Sequence, residues 1–176
     1  MYKKKVLGFT LVELMITIAI IGIVASMAVP SYQSMIERNR LKEVVEGLKS
    51  DLMWMRTETI KRSCNLQVTF NDATAWSYTI FRTDATCGCP TGGGNCNDIV
   101  VNSTQFNGIT MSASPTLSDS TSTLFDFRRG SVSVGNSGNT QFNSTNYQIK
   151  VVVAQVGRVR ICNISGQAGI LGYDEC

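Results

Sequence analysis

The chain has 176 residues, 43% of them hydrophobic and 16% charged, which suits one membrane segment plus one modest domain better than several domains. It contains no histidine, which excludes His-based triads, histidine general bases and the usual His-containing zinc sites. The formal charge of +3 includes Lys3, Lys4 and Lys5 at the very start; without them the 16 basic side chains fall to 13, against 13 acidic ones, so any anion binding is a local property rather than one of the whole surface.

Positive charge beside an apolar run holds that end of a chain in the cytoplasm. The run that follows, Phe9 to Val29, carries one charge, Glu13, and matches the ~20 residues a helix needs to cross a bilayer core. A lone carboxylate in such a segment is costly and marks function or a partner. A secretory signal has a shorter apolar core followed by a small-residue cleavage site. Here the small residue, Gly8, comes before the apolar run, so cutting there leaves the hydrophobic helix on the mature protein.

Pro30 is expected to bend or loosen the helix, because it removes one backbone bond and crowds the preceding turn. Beyond it Leu41, Val44 or Val45, Leu48, Leu52, Met55 and Thr59 recur at spacings of three and four, one apolar stripe on a helix. Glu37, Arg38, Lys42, Glu46, Lys49 and Glu58 fall on the other face. The two halves predict a helix of roughly 50 residues, near 75 Å long.

From Cys64 the period changes to two. Leu66 to Phe70 and Trp76 to Arg82 predict an antiparallel hairpin across the turn-like Asn71 to Ala75. Further strands are predicted at Ile99–Asn102, Phe106–Ser112, Thr123–Arg128, Ser131–Val134, Tyr147–Ala154 and Arg158–Ile164. The polar stretches Ser112–Ser122 and Gly135–Asn146 are predicted to be exposed loops. Asn102, Asn143 and Asn163 each begin an N-x-[ST] triplet and are read as ordinary surface residues.

Cys64, Cys87, Cys89, Cys96, Cys162 and Cys176 form an even set downstream of the apolar run, which fits a domain exported to an oxidising compartment. The C-x-C-x6-C spacing of Cys87, Cys89 and Cys96 lacks the second pair of a zinc site. The glycine-rich stretch Cys87 to Cys96 has neither a G-K-[ST] ending nor a following helix, so it reads as a stapled loop rather than a phosphate cradle. Cys162 and Cys176 enclose a terminal loop and are candidates for one bridge; Cys87 or Cys89 joins Cys96 or reaches Cys64. No metal and no cofactor is expected.

Gly8-Phe9-Thr10-Leu11-Val12-Glu13, behind a short basic leader and ahead of a long apolar tail, resembles the start of type IV prepilins, the precursors of type IV pilins and type II secretion pseudopilins. The resemblance implies that a prepilin peptidase cuts after Gly8 and methylates Phe9, and that Glu13 pairs with the N-terminal amine of a neighbouring subunit in the filament. Asp51-Leu52 through Arg56-Thr57-Glu58-Thr59-Ile60, Phe125-Asp126-Phe127-Arg128-Arg129-Gly130 and a last hairpin with Gly157-Arg158-Val159-Arg160 resemble the GspH/FimT group of minor pilins and pseudopilins. The fold implied is α+β, a long N-terminal helix packed on an antiparallel β-sheet domain. Residues 1–8 would be leader, 9–30 the transmembrane and filament-core half of the helix, 31–62 its amphipathic half, and 63–176 the disulfide-containing β domain. The implied protein is not an enzyme: it sits in the inner membrane by one pass with its β domain in the periplasm, then joins other major and minor pilins in the filament.

The G-R-x-R stretch resembles the motif of FimT-like minor pilins in naturally transformable bacteria, where it is associated with binding DNA during uptake. Residues two apart on a strand face the same way, so Arg158 and Arg160 present paired cations about 6 to 7 Å apart. That is close to the phosphate repeat along one nucleic-acid strand, and guanidinium suits phosphate geometry. Gly157 would allow a close backbone approach or a sharp turn, and Arg128, Arg129 and Lys150 are candidates to extend the patch. No base-reading motif is present, so DNA binding is expected to be sequence-independent. The alternatives are a structural minor pilin that primes pilus assembly and a GspH-like pseudopilin of type II secretion.

Overall fold

The computed structural model describes residues 8–71, 75–82, 87–88, 96–113, 123–132 and 137–176. The chain divides into two compact units, Met1–Ile36 and Glu37–Cys176. One helix, α1, runs from Leu11 to Arg62 with Pro30 inside it. In the first unit its apolar side chains, among them Leu11, Ile16, Ile21, Ile23 and Met27, are exposed, as expected of a helix whose solvent is lipid or neighbouring subunits. It is long and apolar enough to cross a membrane.

The second unit is built on the apolar stripe of α1. Leu41, Val44, Val45, Leu48, Leu52, Met55 and Thr59 are all buried, so both valines belong to the stripe. Each large apolar side chain there contributes roughly 1.5–3 kcal/mol by leaving water. Glu58, expected on the polar face, is also buried. It lies beside Thr59, and its carboxylate accepts from the Arg62 Nε and pairs with Lys61 Nζ at 3.7 Å, which offsets the cost of placing a charge there.

Among the described residues eight strands accompany this stripe: β1 (Leu66–Asn71), β2 (Ser77–Arg82), β3 (Cys96–Asn102), β4 (Thr110–Ala113), β5 (Thr123–Phe125), β6 (Gly138–Asn143), β7 (Gln148–Val153) and β8 (Val159–Asn163). They form two four-stranded sheets, ordered β3-β2-β1-β5 and β4-β6-β7-β8, and every strand pair is antiparallel. Val68, Ile80 and Phe125 from one sheet and Phe142, Ile149 and Val151 from the other share a core with Leu48 and Met55 of α1. Trp76 joins the sheets: it precedes β2, yet its Nε1 donates to the Ile109 carbonyl before β4 at 2.7 Å, and its ring meets Phe142 of β6 edge-on at 5.5 Å.

Several boundaries differ from the sequence expectation. The Gly135–Asn146 stretch is not one exposed loop: Gly138–Asn143 is the interior strand β6, with Thr140 and Phe142 buried. Its glycine, asparagines and glutamine carry no strand preference of their own, and pairing with β4 and β7 supplies what local composition does not. The strand expected from Phe106 begins at Thr110, because Asn102 caps a 3-10 turn, Ser103–Gln105, by accepting from the Thr104 N–H at 3.2 Å. Phe106 then stacks on Trp76 instead of entering a sheet. The strand from Thr123 stops at Phe125, where the chain turns through residues 127–129. Val132 makes a single bridge to Phe125. Asn163 is buried rather than a surface residue.

Candidate functional site

At the N-terminal end, Gly8, Phe9 and Thr10 precede the helix and are exposed. The Thr10 hydroxyl accepts from the Glu13 N–H at 3.2 Å, and the Thr10 carbonyl accepts from Leu14 N–H at 3.2 Å. Thr10 therefore caps the helix and Glu13 is its third residue, the T-x-x-E spacing of a capping box. A carboxylate in the first turn also faces the positive end of the helix dipole. The dipole gives the Glu13 carboxylate a local role that its position in an apolar run conceals. The leader residues 1–7 lie outside the described residues.

A second cluster forms where two turns meet. Between β7 and β8 the chain reverses over Ala154 to Arg158: Ala154 N–H donates to the Arg158 carbonyl at 2.9 Å and Gly157 N–H to the Ala154 carbonyl at 2.8 Å. Gly157 has φ +76°, the left-handed backbone that short hairpin loops require. Arg158 and Arg160 are both exposed, with half-buried Val159 between them, as alternation on a strand dictates. Arg160 faces Val152 across the ladder and Lys150 faces Cys162, so Lys150 lies diagonal to Arg160 on the same outer face.

The other turn follows β5. Gly130 N–H donates to the Asp126 carbonyl at 2.7 Å, Asp126 N–H to the Ser131 carbonyl at 2.8 Å, and Arg128 N–H to the Asp126 carboxylate at 2.9 Å. Arg128 and Arg129 are exposed at its crest, and the Arg128 guanidinium lies over the Phe127 ring, 5.5 Å from its centre. The two turns touch through backbone: Val132 N–H donates to the Gln155 carbonyl at 2.8 Å, and a Cβ on Gly157 would lie 2.0 Å from the Gly130 carbonyl oxygen. The close approach that Gly157 permits is thus to Gly130.

Among the described residues none of Arg128, Arg129, Lys150, Arg158 and Arg160 forms a salt bridge, and no group of three or more metal-ligating side chains comes together. Sequence reasoning placed Arg128 and Arg129 only as possible extensions; the structure brings their turn against the one that ends at Arg158. It missed Arg56, whose side chain reaches both glycines. Its place on the helix end said nothing about which loops it would meet.

Among the described residues two disulfides have both partners placed. Cys64 bonds Cys87 and Cys162 bonds Cys176, which selects among the pairings the sequence left open. Cys96 is also disulfide-bonded and begins β3; Cys89 lies outside the described residues. The last bridge fixes the tail beside β8, and Tyr173 in that tail donates its hydroxyl to Glu46 on α1. Burial, followed by the Glu46 carboxylate, pushes the Tyr173 hydroxyl well above its ordinary value.

A capped apolar helix, a helical stripe under two antiparallel sheets and a disulfide-fixed tail define a type IV pilin-like fold. Residues 3–29 match the prokaryotic N-terminal methylation motif. Residues 44–157 match the family described as type II transport protein GspH, and the chain belongs to that family. A fimbrial protein of Moraxella nonliquefaciens is 52% identical over 48 residues, covering 26% of this chain and 31% of the relative. Fimbrial protein EcpC of Eikenella corrodens is 54% identical over 43 residues, covering 24% and 28%. The chain thus spans about a third of the length of these curated relatives. The minor pseudopilin EpsH from the type 2 secretion system of Vibrio cholerae has a similar fold, with a TM-score of 0.52 at 14% identity over 70% of this chain and 97% of that one. The type IV minor pilin FimU of Pseudomonas aeruginosa gives 0.52 at 11% identity over 72% and 96%.

Proposed function

We propose that this chain is a minor type IV pilin that enters the pilus through its apolar helix and binds DNA without sequence preference during uptake in natural transformation. The observation that carries the DNA reading is the pair Arg158 and Arg160, exposed on one face, without salt bridges among the described residues, beside the turn that bears Arg128 and Arg129. Forked cations at this spacing suit successive phosphates. Lys150, on the same outer face as Arg160, extends the patch. Gly157 serves it by holding the hairpin in place.

At the other end, a prepilin peptidase acts between Gly8 and Phe9, and Glu13 accepts the amine of a neighbouring pilin once the helix leaves the inner membrane. Mass spectrometry of membrane-extracted protein should find a chain beginning at methylated Phe9; an intact Met1 in peptidase-competent cells would count against this step.

The DNA test uses the full chain in neutral detergent and duplexes of unrelated sequence. Wild type should retard them all at low salt, and Arg158→Ala with Arg160→Ala should lower the slope of log affinity against log salt by about 2, two phosphates' worth. A wild type that leaves DNA unshifted at low salt sinks the reading. The family match to GspH and the likeness to EpsH favour a second reading, a pseudopilin or assembly-priming subunit. Loss of transformation in the arginine variant with pili intact supports uptake, whereas loss of pili or of secretion on deleting the gene, with transformation spared, supports the second.

A further inference from the structure

Arg56 lies on the last turns of α1 and is half-buried. Its Nε is 3.0 Å from where a Cβ on Gly130 would sit and 3.2 Å from the same point on Gly157, with Nη2 3.5 Å from the Gly130 point. The side chain therefore rests on the two left-handed glycines that carry the arginine turns. The nearby carboxylates are engaged elsewhere: Glu58 with Lys61 and Arg62, Asp126 with the Arg128 N–H. Among the described residues Arg56 makes no hydrogen bond through its side chain and no salt bridge. A guanidinium stays charged and offers five donors, and among the described residues no Arg56 nitrogen is both sealed from solvent and unpartnered, so these nitrogens stay open to an acceptor from solution. An arriving anion would supply that acceptor.

We infer that Arg56 is a recessed phosphate-contacting residue of the arginine patch, a cation delivered from the helix that engages the DNA backbone together with Arg158 and Arg160. The inference rests on the DNA reading above and adds to it a contact that no strand or loop motif contains. It also gives the Gly130–Gly157 contact a purpose: with a side chain on either residue, the guanidinium could not reach the junction between the two turns.

The full chain in neutral detergent is titrated with a duplex across a salt series, as wild type, Arg56→Gln and Arg56→Lys. Arg56→Gln should weaken binding by about 5- to 10-fold and reduce the salt slope by about 0.9, one phosphate contact, while Arg56→Lys keeps the slope. An unchanged slope in Arg56→Gln overturns the inference, even if affinity falls, since a packing role alone would not alter the number of phosphates neutralised. Because Arg56 packs on two turns, the wild type is also followed by NMR at the arginine Nε–H signals. The Arg56 signal should move with those of Arg158 and Arg160 as DNA is added, and an Arg56 signal that stays put while theirs move overturns the inference without any substitution. A wild type that fails to bind DNA brings down both readings; one that binds while Arg56→Gln keeps the wild-type slope brings down this one alone.

Discussion

Gly157 approaches Gly130 so closely that a Cβ on the former would lie 2.0 Å from the carbonyl oxygen of the latter. Both have positive φ, +76° and +58°. The glycine of G-R-x-R is therefore a packing residue, and the arginine beside it inherits its position from that packing. Gly157→Ala should cost about 2 to 4 kcal/mol, combining left-handed strain with overpacking. Urea unfolding would show it as a lowered midpoint, and DNA affinity should fall with it. Arg158→Ala, whose side chain is exposed, should lower affinity while leaving the midpoint within about 0.5 kcal/mol of wild type. Equal stability of the two variants would refute this division of labour.

Trp76 links the two sheets, and its replacement tests whether they unfold together. Trp76→Phe keeps an aromatic ring between Phe106 and Phe142 but removes the donor to the Ile109 carbonyl. The loss of packing volume and of a buried hydrogen bond should cost about 2 to 4 kcal/mol. Near-UV and far-UV circular dichroism should still report one coincident transition. Two separate transitions would mean that the sheets have cores of their own.

The parts of this molecule that local chemistry dictates are the parts its sequence displays. The stripe from Leu41 to Thr59 repeats at helical spacing, β1 alternates apolar with polar residues, and β7 does so at Ile149, Lys150 and Val151, so their buried faces are written in the chain. Strand β6 is not, because Gly138-Asn139-Thr140-Gln141 takes its conformation from two neighbouring strands. The same holds for the arginine cluster. Arg158 and Arg160 are visible as a spacing of two, but the meeting of Gly130, Gly157 and Arg56 is a tertiary event among residues far apart in the chain. The capping of α1 by Thr10 was written locally, as T-x-x-E, and was hidden by the stronger signal of the apolar run around it.

The Cys162–Cys176 bridge closes a loop with a sequence separation of 14, for which chain entropy alone gives about 3 kcal/mol. Inside that loop Asn163 organises the tail: its side chain donates to the Ile170 and Tyr173 carbonyls and accepts from the Ile170 N–H at 2.9 Å. Its backbone carbonyl accepts from Cys176 N–H at 3.0 Å. Replacing both cysteines by serine should lower stability by about 2 to 3 kcal/mol. Hydrogen exchange should then quicken at the Ile170 and Cys176 amides before it does in β7. Uniform acceleration across the domain would mean that the bridge stabilises the whole fold rather than the tail.

Glu37, the first residue of the second unit, receives the β6–β7 turn: Asn146 donates its N–H to one carboxylate oxygen at 3.0 Å and its side-chain amide to the other at 2.8 Å. Burial by itself raises this carboxyl, but the hydrogen bonds from Asn146, with help from Ser144 and Thr145, outweigh it and hold the group below its ordinary 4.5. A carboxyl depressed on folding binds its proton more readily in the unfolded chain, so its stabilising contribution is full above 4.5 and is lost as the pH falls through the lower folded value. Glu37→Gln cannot titrate. Its unfolding midpoint should therefore lie below that of wild type at pH 7, and the gap should close as the pH drops from 5 to 3. Thermal melts across that range would check it; a gap that stays constant would mean that Glu37 holds the turn by hydrogen-bond geometry alone, with no contribution from its charge.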